Sequence, residues 1–156
     1  MHALKSLVLS EVTESSSGWE MLLHLTKLKD LCINGCNDLT QLPESMRNLT
    51  SLETLRIDGC PAVGTLPDWL VELHSLRHLE LTMGHLKELP EAIQHLTSLE
   101  ELNVLSGPAL TVLPEWIGQL SALRRLLIQH FPALECLPQS IQRLTALKEL
   151  NVTSER

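Results

Sequence analysis

The sequence predicts one α/β repeat domain, with a parallel sheet on its concave side and short helical turns on its convex side. The prediction rests on three observations: a leucine that recurs at steps of 23 or 24 residues along the 156-residue chain, a strand motif after each such leucine, and a proline-initiated motif after most strands. A fixed period of this length is typical of a solenoid, in which each unit stacks on its neighbours. The recurrent positions are Leu4, Leu28, Leu52, Leu76, Leu99, Leu123 and Leu147.

The strand motif is LxxLx[LIV], as in LKDLCI from Leu28 and LRRLLI from Leu123. Successive side chains of a strand point to opposite faces. The second leucine and the closing aliphatic residue should therefore enter the core, while the residues between and beside them face solvent. The motif occurs after each of the seven recurrent leucines, so it predicts seven short strands.

The helical motif is LPxxhxxL, where h is apolar, and five units carry it. Proline suits the first turn of a helix, because its missing N–H costs nothing there. Apolar residues at a spacing of three, such as Met46 and Leu49, should then turn inward. Because one unit cannot bury its apolar face alone, the stacked units should form a leucine-rich-repeat solenoid, a horseshoe arc roughly 30 Å long at about 4.8 Å per strand.

The two ends of the chain depart from this regular pattern. The irregular first unit, residues 1–27, lacks the LP motif and has an acidic, serine-rich insertion, which predicts an atypical loop. We expect residues 1–156 to form a single domain of about six units plus a partial one. Neither end shows the polar cap that a solenoid needs, so we also expect the chain to be a segment of a larger protein.

The charge of the chain restricts its partners. The formal net charge is −7, from 12 Lys and Arg against 19 Asp and Glu, which argues against nucleic acid or an anionic membrane as the main partner. No apolar run is long enough to span a bilayer, and the first residues lack the pattern of a signal peptide.

The predicted alternation places four columns of side chains, one residue per unit, on the concave face or its edge. These columns contain seven of the twelve basic residues and seven of the nineteen acidic residues. The concave face is therefore neutral, and the rest of the chain carries the whole net charge. The candidate protein-binding residues on this face are Arg56, Arg77, His78, Glu80, Glu101, Asn103, Leu105, Arg124, Arg125 and Leu127.

Two interpretations of the concave charges remain open. Arg56 beside Glu80, and Arg125 between Glu101 and Glu149, fit charge ladders that need no ligand and contribute about 0.2–1 kcal/mol per pair. The alternative is a recognition surface anchored by Arg124, Arg125 and Leu127, because arginine is enriched at interface hot spots. On the convex side, Trp69 and Trp116 either cover the leucine stack or form an apolar contact patch.

Nothing in the sequence indicates a catalytic, cofactor or metal site. There is no GxSxG motif, and the four cysteines form no CxxC pair. Cys36 and Cys60 should be neighbours, as buried thiols rather than a disulfide. His74, His78 and His85 lie near each other in sequence, but we expect no metal site there.

Several motifs resemble the leucine-rich repeats of plant intracellular nucleotide-binding, leucine-rich-repeat disease-resistance proteins, the grass coiled-coil type most of all. Over about residues 28–156, the resemblance rests on CxxLxxLP at Cys36 and Cys60 and on LPxW at Leu66 and Leu113. The GxIP element of plant receptor kinases is absent. The ladder slot also lacks the asparagine of Ras-associated repeat proteins, and holds Cys36, Cys60, Gly84, Gly107 and Phe131.

The resemblance implies a cytoplasmic sensor that recognises a pathogen effector or a guarded host protein. It also implies an upstream nucleotide-binding domain, held inactive by the repeats, whose GxxxxGK[ST] loop is not in this chain. A generic intracellular scaffold, such as a signalling adaptor or a ubiquitin-ligase substrate-recruiting subunit, is the main alternative. An extracellular receptor fragment is the third, and glycan at Asn48 would favour it.

Overall fold

The computed structural model contains a seven-stranded parallel sheet with its strands in chain order, as the sequence predicts. The structure describes residues 3–15, 17–82, 88–105, 107 and 109–153. The strands are β1 (Ser6–Ser10), β2 (Asp30–Asn34), β3 (Thr54–Asp58), β4 (His78–Thr82), β5 (Glu101–Leu105), β6 (Arg125–Gln129) and β7 (Glu149–Val152).

Alternation within the strands produces the two faces. In β2, Leu31 and Ile33 are buried, while Asp30 and Asn34 at its ends are exposed. The register places Leu31 beside Leu55 of β3, and every later strand pairs its leucine in the same way. A continuous leucine stack therefore lies behind the sheet, since a 24-residue period returns the same side chain to the same face.

The helical turns on the convex side are 3₁₀ helices. They are η1 (Ser17–His24), η2 (Glu44–Asn48), η3 (Asp68–Glu72), η4 (Glu91–His95), η5 (Glu115–Gln119) and η6 (Gln139–Arg143). The proline of each LP motif lies just before its helix rather than in the first turn. Pro43, for example, is extended at φ −69° and ψ 144°, and its carbonyl accepts from Met46 N–H at 3.1 Å. None of these helices is long and apolar enough to cross a membrane.

The expectation of an atypical loop in the irregular first unit is only partly confirmed, because residues 11–15 form no helix or strand but a helix follows them. Residues Ser17–His24 form η1, in which Trp19 and Leu22 are buried in the common core. The Trp19 indole Nε1 donates to the Thr13 carbonyl at 2.9 Å, and Ser45 Oγ of the next unit donates to the Trp19 carbonyl at 2.6 Å. An aromatic anchor thus takes the place of the missing LP motif.

A left-handed residue follows several strands. Glu11, Gly35, Gly59 and His130 occupy equivalent positions directly after β1, β2, β3 and β6, with φ between 56° and 66°. The amide of Glu11 donates to the Asn34 carbonyl and that of Gly35 to the Asp58 carbonyl, both at 2.9 Å. The turns that end β1 and β2 are therefore tied to the next unit.

Candidate functional site

The concave face brings the predicted binding residues together in rows across the strands. The register places His78, Glu101, Arg125 and Glu149 side by side on β4 to β7. A second row holds Arg56, Glu80, Asn103 and Leu127 on β3 to β6, and Leu105 belongs to a third. Arg77 and Arg124 lie just before their strands. The predicted set therefore shares one surface, apart from the two convex tryptophans.

Four residues of one row contact each other in a line across the strands: His78, Glu101, Arg125 and Glu149. We call this row the inner ladder. Arg125 donates to Glu101 at 2.8 Å through one nitrogen and to Glu149 at 2.7 Å through another. His78 Nδ1 lies 2.9 Å from the other oxygen of Glu101. Arg125 therefore directs its donors at its own neighbours, which supports the charge-ladder interpretation for this residue.

The adjacent row, here called the edge row, consists of Arg77, Glu100, Arg124 and Lys148. Glu100 lies 3.6 Å from Arg77 and 3.9 Å from Arg124, longer than the 2.7–2.9 Å that is typical of charge-assisted hydrogen bonds. Lys148 has no carboxylate within 4.0 Å in the described part of the chain. The positive charge of the edge row is thus only loosely compensated.

The centre of the face combines polar and apolar groups. Arg56 and Glu80 are 4.0 Å apart, and Leu105 and Leu127 are half-buried. The side-chain oxygen of Asn103 is buried, with no hydrogen-bond partner among the described residues. A depression of about 240 Å³ lies at this centre and is lined in part by Arg56, Glu80 and Asn103.

A depression of about 410 Å³ on the concave face is lined by the inner ladder and by Glu100, Arg124 and Lys148 of the edge row. Its lining includes Glu100, Lys148 and Glu149, which the predicted set omitted. The repeat itself could have identified these three residues, since they occupy the same repeat slots as Arg77, Arg124 and Arg125. A smaller depression of about 330 Å³ lies at the other end of the sheet, beside the exposed Val8 and half-buried Cys32.

The convex tryptophans cover the leucine stack to different degrees. Trp69 is only 7% exposed, whereas Trp116 is partly buried against the core. They lie on η3 and η5, and buried Ala92 of η4 occupies the slot between them. Most of the surface of Trp69 is therefore already used in packing, and little of it is free for a convex contact.

The convex side also carries its own ion pair. Arg47 contacts Glu72 of the next unit through two hydrogen bonds, at 2.9 and 3.0 Å, and Glu44 at 3.5 Å. The hydrogen bond to Arg47 lowers the pKa of the Glu72 carboxyl, and the same bond raises the pKa of Arg47. Exposed pairs of this kind link neighbouring units but contribute little to stability.

All four cysteines are free thiols. Cys36 and Cys60 are buried, and burial raises the pKa of Cys60 to about 11. Burial also raises the pKa of Cys32, although Arg56 opposes this effect. The described residues contain no group of three or more potential metal ligands. Two residues weighed from the sequence, Gly84 and His85, lie outside the described part of the chain.

Comparisons with known proteins agree with this architecture. A family model described as "Leucine-rich repeat region" matches residues 1–108 and 68–156, which together cover the chain. No curated protein gives a significant match.

Solved structures show the same fold. A leucine-rich-repeat protein of Leptospira interrogans is 31% identical with a TM-score of 0.73, over 86% of this chain and 33% of its own. TLR13 bound to the RNA ssRNA13 is 23% identical with a TM-score of 0.72, over 97% of this chain and 25% of its own. The plant peptide hormone receptor RGFR1 bound to RGF2 is 23% identical with a TM-score of 0.58, over 94% of this chain and 24% of its own. The chain thus spans a third or less of each of these proteins.

Proposed function

Because this chain belongs to the leucine-rich-repeat family, we propose that its concave face is a surface for recognising another protein. The observation that carries the proposal is the continuous face itself. Seven strands hold their outward side chains in fixed register, so a partner meets a preorganised surface, which lowers the cost of binding. The fold is typical of interaction scaffolds.

We further propose that the chain is the sensor segment of a cytoplasmic plant immune receptor. It would recognise a pathogen effector or a host protein and would hold an upstream nucleotide-binding domain inactive. The support is the resemblance of the CxxLxxLP and LPxW elements at Cys36, Cys60, Leu66 and Leu113. The net charge of −7 disfavours a nucleic-acid partner.

A generic scaffold or adaptor is the second candidate, since the same face serves any protein ligand. The structural neighbours favour this broader function as much as the immune one. One is a plant receptor bound to a peptide hormone, and another is the repeat domain of the type III effector XopL, at 22% identity and a TM-score of 0.60.

The experiment begins with the parent gene. An immune receptor requires a GxxxxGK[ST] loop upstream in the same polypeptide, and a parent polypeptide without one would refute that assignment in favour of the scaffold. When the parent polypeptide contains a nucleotide-binding domain, that domain is purified and titrated against the 156-residue chain by calorimetry. Arg56→Glu should weaken binding about tenfold, or about 1.4 kcal/mol. Arg56 suits the test because its side chain is 59% exposed and only loosely paired.

The matched control is Arg143→Glu, a charge reversal at an exposed position of η6 on the convex side. It should bind like the unmodified chain. Equal weakening by both variants would show that net charge and not the concave face determines binding. Unchanged binding by Arg56→Glu would exclude the centre of the concave face as the contact.

A further inference from the structure

We propose that the edge row binds an acidic peptide segment of the partner. One carboxylate would be held between Arg124 and Lys148, and a second by Arg77. This inference rests on the proposed function, because it assumes a protein ligand on the concave face, and it adds the chemistry that the ligand must present.

The inner ladder cannot supply the attraction, because its one arginine already contacts two carboxylates. Arg125 contacts two carboxylates at 2.8 and 2.7 Å, and His78 contacts Glu101 at 2.9 Å. A ligand carboxylate at Arg125 would have to displace one of these bonds, and this would leave Glu149 without its arginine or Glu101 with His78 alone. The inner ladder therefore lies beside the edge row without binding the ligand carboxylates itself.

The edge row, in contrast, has three basic side chains for one carboxylate. The side chains of Arg77 and Arg124 are 60% and 54% exposed, and they share Glu100 at distances too long for charge-assisted hydrogen bonds. Arginine can bind a carboxylate through two parallel N–H donors. Arg124 can thus bind a ligand carboxylate without losing a short hydrogen bond to Glu100.

The backbone keeps the two anchoring side chains adjacent. The amides of Lys148 and Glu149 both donate to the Arg124 carbonyl, at 2.8 and 3.0 Å. Arg124 and Lys148 therefore leave neighbouring units about 4.8 Å apart, the usual spacing of strands. Both line the 410 Å³ depression, which leaves room for a carboxylate between them.

The repeat spacing also sets the distance between the two acidic residues of the ligand. Arg77 precedes β4, Arg124 precedes β6 and Lys148 precedes β7. At about 4.8 Å per unit, Arg77 lies about 12 Å from the midpoint of the other two. An extended peptide advances about 3.3 Å per residue. The two carboxylates should therefore be three or four residues apart.

The surrounding charges favour a peptide over a polyanion such as RNA. Glu101 and Glu149 border the edge row, and the rest of the chain is acidic, with a net charge of −7. A continuous line of phosphates would meet these carboxylates. A peptide with only two carboxylates places fewer negative charges beside these glutamates.

The test is an NMR titration of the ¹⁵N-labelled chain, which detects weak binding and locates it. The probe is a short peptide with neutral ends and two glutamates four residues apart. Its control has glutamine at both positions, and a short single-stranded RNA is the third ligand. The protein variants are Arg124→Gln and Lys148→Gln, with Arg143→Gln on the convex side as the matched control.

We expect the acidic peptide to shift the amide signals of Arg124, Lys148 and their neighbours, and the glutamine peptide to leave them unchanged. Arg124→Gln and Lys148→Gln should each weaken binding about fivefold, which corresponds to about 1 kcal/mol. Arg143→Gln should bind as the unmodified chain does.

Equal binding of both peptides, tighter binding of RNA, or equal weakening by Arg143→Gln would overturn the inference. Failure of the acidic peptide alone does not affect the proposed function. That function is tested separately by the parent gene and by the Arg56-dependent titration against the nucleotide-binding domain.

Discussion

Replacing Gly107 with alanine tests whether the single phenylalanine sets the packing of its unit. Phe131 is fully buried in the ladder slot, directly against Gly107 of the preceding unit. A Cβ added at Gly107 would lie 2.3 Å from Phe131 Cε1 and 3.0 Å from its Cδ1. Carbon atoms pack best at about 3.5–4.0 Å, so the new methyl group would force the ring or the backbone to move.

The size of the effect follows from overpacking. Added methyl groups in tight cores typically cost about 1–3 kcal/mol, and the short contact here leads us to expect about 2 kcal/mol for Gly107→Ala. Phe131→Leu should by itself cost roughly 1–2 kcal/mol through the lost ring. The smaller leucine makes room for the methyl group. The double variant should therefore be no less stable than Phe131→Leu alone, with a coupling of about 2 kcal/mol.

The free energies of unfolding are measured by urea denaturation, followed by circular dichroism, for the four members of this cycle. Gly64→Ala is the control, because nothing lies within 4 Å of a Cβ at that position, and its effect should stay within about 0.5 kcal/mol. An additive double variant, or Gly107→Ala as stable as the control, would refute the reasoning.

Two further predictions concern other contacts between units. Gly118→Ala should cost about 2–3 kcal/mol, because its Cβ would lie 2.6 Å from the backbone oxygen of Ser140. Ser140→Gly should not restore stability in urea denaturation, since that oxygen remains, and recovery would contradict this explanation. In native alkylation at pH 8, followed by peptide mass mapping, exposed Cys136 should react first. Buried Cys60, with a pKa of about 11, should have about one thiolate per thousand molecules. Cys60 should react only after unfolding. Equal labelling rates for Cys60 and Cys136 would show that the core around Cys60 opens in the native state.

Much of the fold could be predicted because the repeat fixes it. The recurrent leucines placed all seven strands, and parallel pairing at a constant period also predicted which side chains share a row, as with Glu101, Arg125 and Glu149. The type of helix could not be predicted, because the five-residue segments carry too few apolar positions to distinguish 3.6 from 3.0 residues per turn. The helix η1 of the first unit could not be predicted, because Trp19 anchors it from outside the repeat pattern.

The sequence by itself determined that this protein is a leucine-rich-repeat solenoid with a neutral concave face, since period and alternation depend only on the order of residues. Only the tertiary structure decided which charges on that face remain available. Arg124 and Arg125 are neighbours in sequence, yet Arg125 holds two carboxylates in short bonds while Arg124 reaches one at 3.9 Å. The physical reason is that ion pairing depends on side-chain rotamers and on the N–O distances that they set, and the order of residues does not determine these.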